Sequence, residues 1–125
     1  MTENEITYII RGAIFEIYNH FGPGLFESVY KEAVFVSLKN KGLFTQKEMG
    51  IVAKYQNTDL GLAYRMDLLV ESKVIVEIKS VDSLADIHKK QLLTYLKLSC
   101  LKLGLLVNFN TETINKSIIR IVNRL

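Results

Sequence analysis

Apolar residues recur along the chain with one of two spacings, and the spacing changes at turn signals. Every third or fourth residue is apolar over residues 6–21, which predicts an amphipathic helix. Glycine and proline at residues 22–24 interrupt this helix, because both residues break regular structure. A second helical pattern begins at Leu25 and ends at Gly42, after lysines that are typical of a helix carboxyl end. Two consecutive helices are therefore predicted before the first strand.

After Gly42 the spacing shortens to the alternation typical of strands. We expect a turn over residues 56–61, most of which are polar and which end on glycine. Strands are expected over residues 43–55, 63–70 and 74–80. Short connections join strands that run in opposite directions. The middle of the chain therefore predicts an antiparallel meander.

The last third of the chain predicts a crossover. Residues 86–99 form an amphipathic helical pattern, residues 101–109 a nearly continuous apolar strand, and residues 116–123 a shorter final strand. A helix between two strands of one sheet returns the chain in a right-handed sense, with the strands parallel. The order α-α-β-β-β-α-β-β thus predicts an α/β sandwich, with a mixed central sheet flanked by helices. At 125 residues, we expect the whole chain to form a single domain.

Composition narrows the function classes. A hydrophobic fraction of 49% and a charged fraction of 23% are typical of a folded domain. The net charge of +3 is compatible with an anionic partner without proving one. One cysteine excludes an intrachain disulfide, and two histidines argue against a structural zinc site. The amino-terminal residues lack a signal-peptide pattern and no apolar run approaches a membrane span, so a cytoplasmic location is expected.

Two acidic residues interrupt strands that are otherwise apolar. If residues 71–73 form a three-residue hairpin loop, Asp67 lies directly opposite Glu77. Opposed like charges destabilise a sheet, and a divalent cation between them would reverse that effect. Carboxylate and carbonyl oxygens are the ligands that Mg²⁺ takes. The same register makes the other face wholly apolar, with Met66, Leu68, Val70, Val74, Val76 and Ile78 on it.

An alternative interpretation of this charged face stays open. The same register places Arg65 opposite Lys79, next to the acidic pair, so the four charges can also neutralise one another on a solvated sheet surface. A two-residue loop would shift the register by one position and separate Glu77 from Asp67. Hairpin geometry alone does not decide between a metal site and a wet surface.

The spacing of these residues resembles a known signature. Glu77-Ile78-Lys79, ten residues after Asp67, resembles the D…(D/E)-x-K motif of the PD-(D/E)XK nuclease superfamily. The predicted element order is similar to the α-β-β-β-α-β core of that superfamily. The resemblance implies a restriction-endonuclease-like fold. Met66 departs from the pattern, because it stands where the superfamily name has proline.

Two further motifs narrow the resemblance. Gly24-x-x-Glu27-x-x-Tyr30 resembles the motif of the bacterial GxxExxY proteins. Gln91-x-x-x-Tyr95 is similar to the Q-x-x-x-Y motif of RecB-like nucleases. Similarity of this kind extends over nearly the whole chain.

The resemblance implies a role for each matching residue near the metal. Asp67 and Glu77 would hold Mg²⁺ or Mn²⁺, with the Ile78 carbonyl as a third ligand. Lys79 would position the attacking water or stabilise charge on the phosphate, and the cation would lower the pKa of that water. Glu27 would reach in from the second helix, although an acid in the first turn of a helix also has a purely electrostatic reason to be there.

The same resemblance implies a substrate side. Gln91 and Tyr95, four residues apart on one helical face, would contact nucleic acid, with His88 and Tyr30 as further candidates. The alternative is that Tyr95 lies at a helix–sheet boundary and Gln91 on the solvated side of the same helix.

The expected function is Mg²⁺-dependent hydrolysis of phosphodiester bonds, with DNA as the expected partner. We expect no appended DNA-binding domain, so a dimer or a partner would be needed to cover enough duplex. The resemblance to the compact Holliday-junction resolvases of this superfamily implies a homodimer. The alternative is a catalytically inactive module of the same fold that binds nucleic acid or a protein partner.

Overall fold

The computed structural model describes residues 1–125. It contains three helices: α1 Glu3–Phe21, α2 Glu27–Asn40 and α3 Asp86–Ser99. The seven strands are β1 Thr45–Lys47, β2 Gly50–Tyr55, β3 Thr58–Arg65, β4 Leu68–Val70, β5 Val74–Lys79, β6 Leu103–Asn108 and β7 Ile118–Val122. A short 3₁₀ turn, Ile114–Lys116, precedes β7.

The sequence of α1 explains where this helix begins and ends and which face it buries. Thr2 caps α1: its hydroxyl accepts from the Glu5 N–H, and the Glu5 carboxylate accepts from the Thr2 N–H. The apolar residues of α1 fall on one face and are buried there, namely Ile6, Ile10, Ala13, Ile14 and Ile17. A glycine with left-handed φ, Gly22, ends the helix.

Five strands form the central sheet in the order β1-β4-β5-β6-β7. β5 and β6 are parallel and the other neighbours are antiparallel. α3 is the crossover between the two parallel strands. Every residue of β6 is buried, as expected for a central strand covered on both faces. The predicted α/β sandwich on a mixed sheet is confirmed.

The predicted strands 43–55 and 63–70 are each broken, which corrects the expected number of strands. The first breaks at Glu48, whose backbone is left-handed with φ 58°, and the second at Met66 and Asp67. The two breaks face each other: the Glu48 N–H donates to the Asp67 carbonyl at 3.2 Å, and the Met66 N–H to the Met49 carbonyl at 2.8 Å. The break separates β2 and β3 into a two-stranded sheet of their own.

The turn before β3 is also shorter than predicted. Only Gln56 and Asn57, both with positive φ, form it, and β3 already begins at Thr58. Two consecutive residues of this kind make the tight hairpin turn that suits the twist of the flanking strands.

The predicted hairpin register is confirmed where β4 meets β5. Leu68 pairs with Val76, and Val70 pairs with Val74 across the loop at residues 71–73. The break reverses the expected face of Met66, however. Met66 packs with Ile51, Leu69, Ile75, Leu92, Leu96 and Leu106, on the face opposite to Leu68.

Arg65 is displaced by the same break. It pairs with Gly50 in the two-stranded sheet and does not lie opposite Lys79. The mutually neutralising four-charge sheet surface therefore does not form in the expected way.

Two apolar cores of unequal size enclose the sheet. On one face, α1 and α2 pack against the alternate residues Leu68, Val70, Val74, Val76 and Ile78 in a cluster of 19 buried residues. On the other face, α3 covers a cluster of only 7. On this side Glu77 is buried, whereas Lys79 at the end of β5 is partly exposed. No helix combines the length and apolar character that crossing a membrane requires.

Candidate active site

Asp67 and Glu77 meet at the point where the β3–β4 chain breaks. The Asp67 N–H donates to Oε2 of Glu77 at 3.3 Å. Oδ2 of Asp67 accepts from the Ile78 N–H at 2.8 Å. The break releases Asp67 from ladder pairing, so its carboxylate is able to turn toward the β5 backbone. The structure thus brings the two acids together by a route that differs from the expected cross-strand pair.

Glu77 is buried without full compensation. Only 3% of its surface is exposed, and its Oε1 atom is buried with no hydrogen-bond partner. Burial raises the pKa of the Glu77 carboxyl to about 9, and the neighbouring charge of Asp67 adds to this shift. A buried acceptor without a partner is costly, and folded proteins rarely retain one without a reason. A cation at this oxygen would satisfy it and favour the ionised carboxylate, so the donor set fits a divalent metal.

Glu27 approaches the same place from the other face of the sheet. It is the first residue of α2, and its Oε2 accepts from the Ser80 N–H at 3.1 Å. The Ser80 hydroxyl donates in turn to the Leu25 carbonyl at 2.7 Å. Gly24, with φ 103°, provides the left-handed turn that precedes this segment. The end of β5 is therefore tied to the beginning of α2.

Tyr30 is the buried anchor of that segment. Its side chain is 0% exposed and stacks on Phe109, with ring centroids 4.3 Å apart. Its hydroxyl donates to the Gly22 carbonyl at 2.6 Å and accepts from the Leu25 N–H at 3.2 Å. A side chain with no exposed surface offers no contact to a substrate. Tyr30 instead fixes the loop that places Glu27, which explains the spacing of Gly24, Glu27 and Tyr30.

A small cleft lies between α2 and the end of β5. Glu27, Ser28, Lys31, Asp67 and Ile78 line it, and its volume is about 260 Å³. A water molecule takes about 30 Å³ in the liquid, so the cleft has room for a hydrated cation. No three His, Cys, Asp or Glu side chains form a ready-made metal cage. Mg²⁺ is typically bound by one or two carboxylates with several waters. Asp67 and Glu27 line this cleft, whereas the buried Glu77 does not.

Comparison with models of known protein families shows to which family the chain belongs. A scan against family models matches residues 4–121, from α1 to β7, to a family described as the PD-(D/E)XK nuclease superfamily. The chain belongs to the PD-(D/E)XK nuclease superfamily. No curated protein and no solved structure matches the chain. The mixed five-stranded sheet flanked by three helices is the restriction-endonuclease-like α/β fold of this superfamily, whose nucleases generally use divalent metals.

Lys79 is the last residue of β5. It lies two residues after Glu77, so the two side chains emerge on the same face of the sheet. It is partly exposed and pairs with Asn108 of β6. Its charge acts on Glu77 in the direction that lowers the pKa of that carboxyl, although burial and Asp67 outweigh it.

On the α3 side, Tyr95 lies next to the acidic pair. Its ring stacks on Tyr64 of β3, with centroids 4.1 Å apart and planes 13° from parallel. Burial raises the pKa of both hydroxyls, and the charge of Glu77 contributes to each shift. The two phenols therefore remain neutral donors beside the carboxylates at physiological pH.

The other two α3 candidates are placed differently. The Nδ1 atom of His88 accepts from the Ala85 N–H at 3.1 Å and so caps the beginning of α3. Gln91 is exposed on the next turn of the helix. His88 therefore has a structural task at the helix end, whereas Gln91 is accessible to a ligand.

Sequence reasoning missed Lys31, Ser80, Tyr64 and Glu48 around this nuclease-like site. Lys31 follows Glu27 by four residues, so helical spacing was a usable signal for it. Ser80 directly follows the E-x-K motif, but its hydroxyl bond to Leu25 is a long-range contact. No sequence signal points to Tyr64, because an unbroken strand would place its side chain on the same face as Leu68, away from α3.

Proposed function

We propose that this protein is a metal-dependent nuclease that hydrolyses phosphodiester bonds in DNA. The observation that carries the proposal is the Glu77 carboxylate: its Oε2 accepts from the Asp67 N–H, while its buried Oε1 has no hydrogen-bond partner. Membership of a nuclease superfamily supports the same chemistry. Residues 1–125 would act as a single nuclease-like domain.

The proposed metal ligands are Asp67, Glu77 and the Ile78 carbonyl. Glu27 would contribute directly or through water, because it lines the same cleft. Mg²⁺ or Mn²⁺ suits this oxygen-only donor set. When bound, such an ion supplies an activated water and a positive charge against the phosphate.

Hydrolysis forms a bond between a water oxygen and phosphorus and breaks the bond from phosphorus to one ester oxygen. The water loses a proton in the process, and the leaving oxygen gains one. Lys79 would donate a hydrogen bond to the attacking water or to a phosphate oxygen as negative charge develops there. Its place on the Glu77 face of β5 supports this role.

Further parts of the proposal concern the substrate side and the wider relationship. Gln91 and Tyr95 would contact nucleic acid, and His88 would support them from the preceding turn. The Gly24-Glu27-Tyr30 arrangement supports membership of the GxxExxY proteins, and the position of Tyr95 supports the RecB-like branch. A homodimer would supply the ~1,000 Å² or more that gripping duplex DNA requires. We also propose that the protein is located in the cytoplasm, where it would encounter DNA.

The test is cleavage of labelled DNA and RNA in Mg²⁺ or Mn²⁺ by the wild type, Glu77→Gln and Lys79→Ala. Glu112→Gln, which changes an exposed acid far along the chain, is the matched control. We expect cleavage of DNA by the wild type and the control, and its loss in the two site variants. Equal cleavage by all four proteins would assign the activity to a contaminant. Binding that survives chelation without any cleavage would favour an inactive module.

A further inference from the structure

The cleft beside Asp67 contains a cation that the D…E-x-K motif does not include. Lys31 lies on α2, one helical turn after Glu27, and lines the cleft with Asp67 and Ile78. Its ammonium is ion-paired with the Glu48 carboxylate. The hydrogen bond that Lys31 donates to Glu48 raises the pKa of Lys31, with a smaller contribution from the charge of Asp67. The ammonium is therefore charged and lies in the same cleft as Asp67.

Glu48 is placed beside this cleft by the backbone. It occupies the break between β1 and β2 with φ 58°, a conformation that non-glycine residues rarely adopt. Its N–H donates to the Asp67 carbonyl at 3.2 Å. The same peptide contact that breaks the strand thus brings the Glu48 carboxylate within reach of Lys31.

The Lys31–Glu48 pair differs from the other two ion pairs of the chain. The Lys31 side chain is 18% exposed, against 32% for Lys41 and 35% for Lys47 in their pairs. Glu48, in contrast, is 53% exposed. The lysine is thus enclosed by the cleft, whereas its carboxylate partner faces solvent and is free to leave.

We propose that Lys31 binds a phosphate of the nucleic acid substrate, and that Glu48 occupies its ammonium until that phosphate displaces it. This inference rests on the proposed nuclease function and adds a phosphate-binding group to the same cleft. A partly buried ammonium without an anion is unfavourable, so Glu48 serves as the internal partner of the free protein. A phosphodiester carries one negative charge, as Glu48 does, so the exchange leaves the charge of the cleft unchanged. Glu48 is half exposed, so solvent weakens its attraction to Lys31 and a phosphate is able to compete with it.

The test measures binding of a short fluorescein-labelled DNA duplex, and of the same strand unpaired, by anisotropy with a chelator present. Lys31→Gln should weaken binding about tenfold, the size of one charge-assisted hydrogen bond. It should also reduce the salt slope by about 0.9 for the duplex and about 0.7 for the single strand. With Mg²⁺ present, KM should rise more than kcat falls. Lys31→Arg should restore most of the affinity.

Glu48→Gln provides the opposite change. Removing the competitor should strengthen binding by a few-fold, and this gain should vanish when Lys31→Gln is also present. The matched controls are Lys41→Gln and Glu16→Gln, which break an ion pair at the far end of α2. The controls should leave affinity nearly unchanged.

Two outcomes separate this inference from the function on which it rests. If the wild type cleaves DNA but Lys31→Gln binds with unchanged affinity and salt slope, Lys31 is a structural ion-pair residue and this inference is wrong. Equal weakening by Lys31→Gln and Lys41→Gln would also overturn it, because the effect would then reflect net charge. If the wild type neither binds nor cleaves nucleic acid, the proposed nuclease function is wrong, and the inference about Lys31 is wrong with it.

Discussion

The backbone N–H of Asp67 donates to the carboxylate of Glu77 at 3.3 Å, which ties together the two acids of the site. One end of this contact lies at a break in the β3–β4 chain and the other on the buried strand β5. Because Glu77 is enclosed and next to another carboxylate, the metal-free protein holds it protonated at neutral pH, with a pKa of about 9. Under the proposed function, Glu77 would be protonated in the metal-free protein and ionised when a cation is bound.

Metal binding should release a proton below about pH 9. Because the metal takes the ionised carboxylate, a cation and a proton compete for Glu77, and the apparent affinity for Mg²⁺ should rise about tenfold per pH unit up to that pH. Titration calorimetry in buffers of different ionisation enthalpy measures the proton release. A Mg²⁺ affinity that does not change between about pH 6 and 8, below the folded pKa of Glu77, would contradict the assignment of Glu77 as a metal ligand.

The free energy of unfolding should depend on pH because of the Glu77 carboxyl. The pKa of Glu77 is raised in the folded state, so its contribution to stability is fully present below the unfolded value of 4.5 and is lost as pH rises toward about 9. Glu77→Gln should remove this pH dependence. With a chelator present, the variant should be no less stable than the wild type at about pH 8.

Urea unfolding of both proteins, with chelator and then with Mg²⁺, measures this difference. The wild type should gain stability from Mg²⁺ by mass action, and the variant should gain none. An equal gain for both proteins would place the ion elsewhere.

Tyr30→Phe should affect both stability and activity. The substitution keeps the stack on Phe109 but leaves the Gly22 carbonyl and the Leu25 N–H without their buried partner. The expected loss is about 1–3 kcal/mol of unfolding free energy. Because the same loop places Glu27, Tyr30→Phe should reduce cleavage, as Glu27→Gln should. A destabilised variant with full cleavage per folded molecule would show that the loop does not position Glu27.

The Tyr64–Tyr95 stack gives a test of the two-stranded sheet. Tyr64→Ala should lower the unfolding free energy by about 2 kcal/mol, from lost stacking and lost burial of a half-buried ring. Tyr64→Phe keeps the stack and should retain most of this stability. If Tyr64→Ala unfolds at the same urea concentration as the wild type, the stack does not hold β2 and β3 against α3.

The elements that follow from local pattern were predictable from the sequence. The glycine- and proline-marked ends of the helices, the continuous apolar run of β6 and the crossover helix α3 each depend on nearby residues. The hairpin register was also predictable, since the loop at residues 71–73 determines which residues of β4 and β5 face each other.

The strand breaks were not predictable in the same way. Residues 63–70 have an uninterrupted strand pattern, and the break at Met66 depends on its partnership with Met49 and on the left-handed backbone of Glu48. These are long-range conditions, and they reverse the face on which Met66 lies. For the same reason Tyr64 and Glu48 were missed, although the meeting of Asp67 and Glu77 was anticipated.

The decisive measurement is the anomalous scattering of Mn²⁺ in crystals of the wild type and of Glu77→Gln. A peak about 2.1 Å from oxygens of both Asp67 and Glu77 is expected in the wild type, with no peak there in the variant. A wild-type site without manganese, or manganese bound equally well in Glu77→Gln, would contradict the proposed metal centre.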